Sequence, residues 1–443
     1  MSEASELDRD FDLIIVGGRP AGASLAARLG SQGLRVLVLD KASFPSRPPV
    51  SAPFVLPHTM ALLDELELDE AEYAADAPRM HEFVLEFAGY FRAWIGFEPL
   101  AGRDYVYAVD RARFDHCLWR KLDRVPGVTA IERARVTELI READRVVGVR
   151  VALADQDQPR SVRARAVIGA DGRHSLVARS VDAKVTAERR DVDTTIYYAH
   201  WDDVAPYQDG PTVAHIHTSC DGFSFVFMPS ADGQVMVLAQ GRSDYWDALD
   251  GSPEQIYDRL LRARPSVWRR LAGARRASEL SGMKRVGNLF RAPAGPGWAL
   301  VGDAYHQKDS LDAQGIYDAL LGAKLLAAEL RRWHAGDQSW DQAIASYGAA
   351  AHAALAPMFE ATMDRVKREV YDEPPPFVAK TILRWVLTHP DYAQRFGELV
   401  TRRREPEGFL TPGVLLGLAA KGAASRLRAR ARGGIDRTDP LSA

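Results

Sequence analysis

The chain runs to 443 residues, 47% of them hydrophobic and 26% charged, with a formal net charge of -3; that length suits two intimately packed domains, or one with a helical extension, better than a single core. The charge balance excludes a disordered chain and a globally basic binder of nucleic acid. Its two cysteines, Cys117 and Cys220, form no CxxC pair, which excludes a disulfide-framed secreted protein and a dithiol redox centre.

The first ten residues, MSEASELDRD, have neither the basic start nor the apolar core of a secretory signal, so a cytoplasmic chain is expected. Phe11–Val16 (FDLIIV) predicts a buried strand, and the run from Ser24 to Gly33 has the apolar spacing of a helix packed on a sheet. Between them stands GGRPAG. Gly17 and Gly22 hold the first and third places of a G-x-G-x-x-G phosphate turn, where backbone must approach phosphate and helix must lie tight on strand. Arg19 takes the second place, either beside the phosphates or turned to solvent, and Gly18 and Ala21 complete the turn. Leu34–Leu39 predicts a second parallel strand that ends at Asp40, near the offset of about 20 residues at which a carboxylate accepts ribose hydroxyls. Lys41 follows it. Strand, turn, helix, strand and acid together predict a dinucleotide-binding unit with the pyrophosphate on the helix N-terminus.

Val162–Arg179 (VRARAVIGADGRHSLVAR) predicts a strand that ends in Gly169-Ala170-Asp171-Gly172 and turns into a helix through Ser175. Gly297–Asp303 (GWALVGD) predicts another buried strand, followed by AYHQKDSLDAQG and a helical run from Ile316 to Trp333. In motif, order and spacing, these stretches resemble the group A flavin monooxygenases, with their para-hydroxybenzoate hydroxylase-like fold, and the related FAD-dependent halogenases and geranylgeranyl reductases. The resemblance extends over residues 11 to 345. It implies an α/β fold: a Rossmann-like FAD-binding domain of the GR2 type, an inserted antiparallel-sheet substrate domain and a C-terminal helical extension. The expected boundaries are 1–65, 102–182 and 283–345 for the FAD-binding domain, 66–101 and 183–282 for the sheet domain, and 346–443 for the helices.

The resemblance also implies roles. FAD is held non-covalently, Asp303 meets its ribityl chain, and Asp171 with Gly172 lies near the pyrophosphate and helps to bind NAD(P)H. From Gly302 to Gly315 the spacing follows the family's GDAxH…GxG pattern, with Ala313 at the first glycine of the closing pair. Gly315 and Ile316 then open a helix whose N-terminus faces the flavin's pyrimidine edge, where it favours negative charge by about 0.3 to 2 kcal/mol. Arg111, in VDRARFD, matches the arginine that opens the helix after the first crossover and approaches the flavin; Arg113, or a plain surface salt bridge, is the competing reading. Asp309-Ser310 stands where the hydroxylases have proline, and Tyr317 where they have asparagine. Those changes either retune the pocket or leave its chemistry as it was.

From Asp193 to Gly241 the pattern changes to four short alternating strands, expected to form one antiparallel sheet that roofs the flavin. Tyr198, His215, His217, Phe225 and Phe227 are its candidate substrate contacts, and an aromatic lining suits a hydrophobic or aromatic small molecule. Alternate members of that set are expected to be ordinary sheet core. His215 and His217 share a strand face, but with no third ligand in view no metal is expected. His306 is expected to pack beneath the flavin rather than to serve as acid or base. The last hundred residues predict helices with proline breaks and a basic end, and they are expected to cap the substrate opening. Phe409–Ala420, broken by Thr411-Pro412, is shorter than the ~20 residues a bilayer span needs.

The halogenase signature W-x-W-x-I-P is absent, and no lysine can be assigned to carry halogen. The expected activity is an NAD(P)H-dependent monooxygenase that uses molecular oxygen to hydroxylate or epoxidise an aromatic or polyketide-like compound of secondary metabolism. A reductase of isoprenoid double bonds and a non-redox FAD-containing cyclase or isomerase are the alternatives. No catalytic side chain is assigned.

Overall fold

The computed structural model describes residues 7, 10–48, 50–154, 156, 158–219, 221–432 and 437–440. Short runs of buried β-branched residues are stable as strands when helices cover both faces, which favours a parallel sheet. Such a sheet forms here in the order Ala294–Gly295, Trp298–Leu300, Arg160–Gly169, Phe11–Val16, Val36–Leu39, Val128–Ile131. The pairs along this order are parallel except the Ala294–Leu300 hairpin at the edge, and strands Ala134–Glu142 and Arg145–Leu153 join it antiparallel through Arg160–Gly169.

The register assembles the site. Val16 lies beside Leu39 on one side and Gly169 on the other, and Gly169 lies beside Leu300. Three segments scattered over the sequence therefore end at one sheet edge, delivering Gly17, Asp40, Asp171 and Asp303 to a common rim. That rim, outside the carboxyl ends where the connections diverge to either side of the central strand, is where open α/β sheets bind ligands. Helices Pro20–Gly30 and Gly315–Ala335 pack against each other above it.

A second sheet runs Arg275–Arg276, Thr194–Asp202, Val235–Arg242, Phe223–Pro229, Ala214–Thr218, Glu82–Phe87, Phe91–Gly96. The four strands expected from 193 to 241 are all present and pair with one another antiparallel. The sheet is mixed as a whole, because Ala214–Thr218 pairs in parallel with Glu82–Phe87. One face carries Ile196, Tyr198, Met228, Met236 and Leu238, which pack with Phe54, Phe83 and Phe97 toward the first sheet. The other carries Phe225, Phe227, Val237 and Trp201 beneath helices Pro253–Arg262 and Pro265–Leu271. A capping box of Ser252 and Gln255 starts the first of these helices.

After residue 335 the described chain is helical, with principal helices Trp340–Val366, Pro390–Val400 and Pro412–Arg432. Phe396, Leu399, Phe409 and Leu418 from this region close the end of the Tyr198-bearing cluster. No helix among the described residues is long and apolar enough to cross a membrane.

Candidate active site

At the phosphate end, Gly17 adopts φ 101°, and a Cβ there would lie 2.5 Å from the Ala170 carbonyl oxygen. A Cβ at Gly22 would collide with the Gly17 carbonyl, and one at Gly302 would lie 2.9 Å from the Ala21 methyl. Only bare backbone fits this closely, so the turn stays open to a phosphate at the start of helix Pro20–Gly30. Asp40 is buried, its carboxylate accepting the Gly18 N–H at 2.7 Å and the Ala42 N–H at 2.8 Å. Lys41 beside it is exposed.

Arg19 is not turned out to solvent: its side chain is 24% exposed. Its guanidinium pairs with Asp115, donates to the Ser46 carbonyl and hydroxyl at 3.0 Å each, and stands over the Phe44 ring. Arg111 grips the same carboxylate through Nε and Nη2 at 2.8 to 3.0 Å and donates to Ser51 Oγ. Two guanidinium groups thus share one wholly buried carboxylate, leaving a net positive wall beside the phosphate turn. Arg113 is the surface residue of the pair weighed above, bridging Asp76 and Asp232.

Asp171 accepts hydrogen bonds from Ser175 Oγ and the Leu176 and Val177 N–H groups, so it caps the short helix that follows. Burial raises its pKa. Gly172 next to it has φ 78° and opens on empty space, as does Gly315 at the start of the long helix. Arg173 Nε lies 3.0 Å from Asp303 Oδ2. Arg173 Nη1, Ser310 Oγ and His306 Nε2 are buried without a hydrogen-bond partner. Glycine cradles, an open helix N-terminus and unpartnered buried polar atoms on the turns at this rim fit FAD.

The flavin-end loop is more charged than the family pattern implies. Lys308 is buried with its ammonium 2.7 Å from Asp312 and 2.6 Å from Asp318. Asp318 also pairs with Arg402 at 2.9 Å, and Thr362 donates to Asp312 at 3.1 Å, so the C-terminal helices reach into the loop. Asp309, wholly buried, accepts from Thr194 Oγ1 and Gln240 Nε2 at 2.5 Å each, which fastens the loop to the second sheet. Burial raises its pKa. Ala313 adopts φ 55°, the left-handed conformation that a glycine would take without strain. Tyr317 stacks edge-on with His58, ring centroids 4.3 Å apart, and burial depresses His58 to about 3. His306 packs on Phe290, and burial followed by the Lys308 charge holds it well below the usual histidine range.

Of the five candidate substrate contacts, Tyr198 alone lies on the face turned to this loop. His215, His217, Phe225 and Phe227 share the opposite face, under the helices from 253 to 271. There the parallel strand pairing supplies a third potential ligand that the sequence did not reveal, Glu86, 3.2 Å from His215 Nε2 and 3.4 Å from His217 Nδ1. The cluster reads as a hydrogen-bonded network. Arg270 Nη1 sits 3.3 Å from His215 Nδ1, and a guanidinium only donates, so the His215 proton belongs on Nε2, facing Glu86. A metal-bound histidine needs the reverse, a second nitrogen that donates outward. Burial alone would raise the Glu86 pKa, yet the hydrogen bonds from both histidines hold it below the usual carboxylate range.

The profile of the FAD binding domain family matches residues 10–362. The chain belongs to that family. It is a flavoprotein and an FAD-dependent enzyme of the oxidoreductase class. Among curated proteins it is 24% identical to a tryptophan 2-halogenase of Chondromyces crocatus over 352 residues, covering 77% of this chain and 65% of that one. It is 28% identical to a rifampicin monooxygenase of Streptomyces venezuelae over 340 residues, covering 73% of this chain and 65% of that one. The chain thus spans just under two thirds of the length of either. A flavin-dependent brominase of known structure superposes with a TM-score of 0.76 at 18% identity, covering 95% of this chain and all of the other, and so shares the fold.

Proposed function

We propose that this flavoenzyme is an NAD(P)H-dependent monooxygenase that hydroxylates or epoxidises an aromatic or polyketide-like small molecule of secondary metabolism. The observation that carries the reading is the surface opposite the flavin-end loop: Tyr198, Ile196, Met228, Met236 and Leu238 form an apolar wall with one phenol in it. When bound, FAD supplies the transfer of reducing equivalents from the nicotinamide to oxygen. Gly17, Gly22, Asp40, Arg111, Asp303 and Gly315 would hold it. Asp309, through Thr194 and Gln240, fixes the spacing between loop and wall, so a flat substrate is oriented by geometry rather than by a charged side chain. The wall and the closing helices keep water out. Halogen transfer needs a lysine amine facing substrate, and the one buried lysine among the described residues, Lys308, is engaged by two carboxylates.

The test is anaerobic stopped-flow absorbance at the oxidised-flavin band, mixing holoprotein with NADPH or NADH and a panel of aromatic and polyketide compounds. Bleaching accelerated by one compound, with label from ¹⁸O₂ then found in its product, supports the reading. Bleaching without oxygen incorporation points to a reductase. No bleaching, in protein that dithionite still reduces, points to a non-redox pocket.

A further inference from the structure

Six large apolar side chains are strongly exposed among the described residues, and five of them, Phe377, Ile382, Leu415, Leu416 and Leu427, fall between 377 and 427; the sixth is Val185. Chance scatter would spread them over the whole surface. Leu416 and Leu427 are 73% and 70% exposed, and at about 100° per residue their separation of eleven positions returns them to the same side of helix Pro412–Arg432, with exposed Ala420 between. The opposite side holds the helix to the body: Leu418 is buried, and a Cβ at Gly422 would strike the Trp385 backbone. Phe377 and Ile382 stand on the segment that leads to Trp385.

Charge singles out the same region. From Gly408 to Gly434 the sequence has no acidic residue and carries Lys421, Arg426, Arg428, Arg430 and Arg432, in a chain whose net charge is -3. Lys421 shares its charge with Asp391 and Arg426 with Asp439, while Arg428 is exposed. We propose that the Leu416–Leu427 face of the C-terminal helix, flanked by Lys421, Arg426 and Arg428, docks the enzyme onto an anionic lipid surface. Leu416 and Leu427 stand out on the solvent side of the helix at 73% and 70% exposure, which suits a fluid apolar layer. Leu416 and Leu427 with lysine and arginine beside them suit a helix lying in the interface plane, and this one is too polar to insert across it. An open cleft of about 550 Å³ between helix Trp340–Val366 and residues 406–411 ends where this helix begins, so docking would set its mouth near the lipid.

The experiment is cosedimentation of the full-length holoprotein with vesicles of phosphatidylcholine alone and with about 30 mol % phosphatidylglycerol. Binding to the anionic vesicles only, at least about tenfold weaker for L416E/L427E with its flavin content and circular dichroism unchanged, is the expected result. Arg428→Glu is expected to weaken binding in the same direction, and salt to release it. Three results overturn the proposal: no partitioning, partitioning that L416E/L427E retains, and a concentration-dependent dimer abolished by L416E/L427E, which would give the face to a second copy of the chain.

Discussion

Arg173 Nε and Asp303 Oδ2 are 3.0 Å apart, a link between the glycine turn after the 160–169 strand and the turn after the 298–300 strand. The carboxylate assigned to the ribityl chain is therefore oriented by an arginine that no motif names, and Arg173 still has a buried, unpartnered Nη1. Asp303→Ala is expected to purify without yellow colour, since it removes the acceptor and leaves a cation unpaired. Arg173→Gln is expected to bind FAD about tenfold more weakly, the loss of one charge-assisted contact. Fluorescence titration of apoprotein measures both, and a fully yellow Asp303→Ala would contradict the placement of the third motif.

Asp115 joins two arginines that the sequence treats as separate features, one in the phosphate turn and one on the helix after the crossover. Asp115→Asn leaves Arg19 and Arg111 facing each other around a neutral amide. Removing one partner of a buried ion pair costs about 3 to 5 kcal/mol, and the lower end is expected because Arg19 is partly solvated. Arg19→Met should cost far less, as Asp115 keeps Arg111. Denaturant midpoints of the three proteins decide the ordering, and equal losses for both variants would contradict the shared-carboxylate account.

The dinucleotide unit was legible because each of its parts has a local cause: the 11–16 strand matches its apolar run to the residue, and the glycines sit where backbone approaches backbone. Arg111 was singled out in the sequence, but its i, i+4 partner Asp115, and the sharing of that carboxylate with Arg19, were not. What could not be read depends on register between distant strands. Glu86 meets His215 and His217 only because Glu82–Phe87 pairs in parallel with a strand some 130 positions later. Alternation showed that the sheet had two faces but not which one would meet the flavin loop; that choice follows from Thr194 and Gln240 anchoring Asp309, and it puts Tyr198 toward the loop and the other four candidates away from it. Arg402 reaches Asp318 from the C-terminal helices, a contact no local pattern encodes.

Ala313 occupies the first glycine position of the closing GxG pattern with φ 55°. A left-handed alanine costs about 1 to 2 kcal/mol against glycine in the same conformation, and glycine gives back about 0.5 to 1 kcal/mol in unfolded-chain entropy. Ala313→Gly is thus expected to stabilise the apoprotein by up to about 1.5 kcal/mol. Ala313→Val, β-branched at positive φ, is expected to destabilise it beyond that amount. Thermal melts of the pair report the sign, and a less stable Ala313→Gly would mean that the alanine methyl contributes packing that outweighs the strain.

His58 and His215 are buried with their pKa values depressed by that burial to about 3 from an ordinary 6.5. The unfolded chain therefore binds protons that the folded chain refuses between those values. Stability is full above pH 6.5 and is lost as pH falls toward 3, with a slope approaching about 1.4 kcal/mol per pH unit for each histidine. His58 makes no hydrogen bond through either ring nitrogen and packs on Tyr317, so His58→Leu keeps its volume and removes one titrating group. Apoprotein unfolding followed between pH 7.5 and 4.5 is expected to show a shallower acid limb for His58→Leu, by about one proton. An unchanged slope would mean that His58 binds its proton as readily in the folded as in the unfolded chain, and the acid sensitivity would then belong to the His215 network on the far side of the sheet.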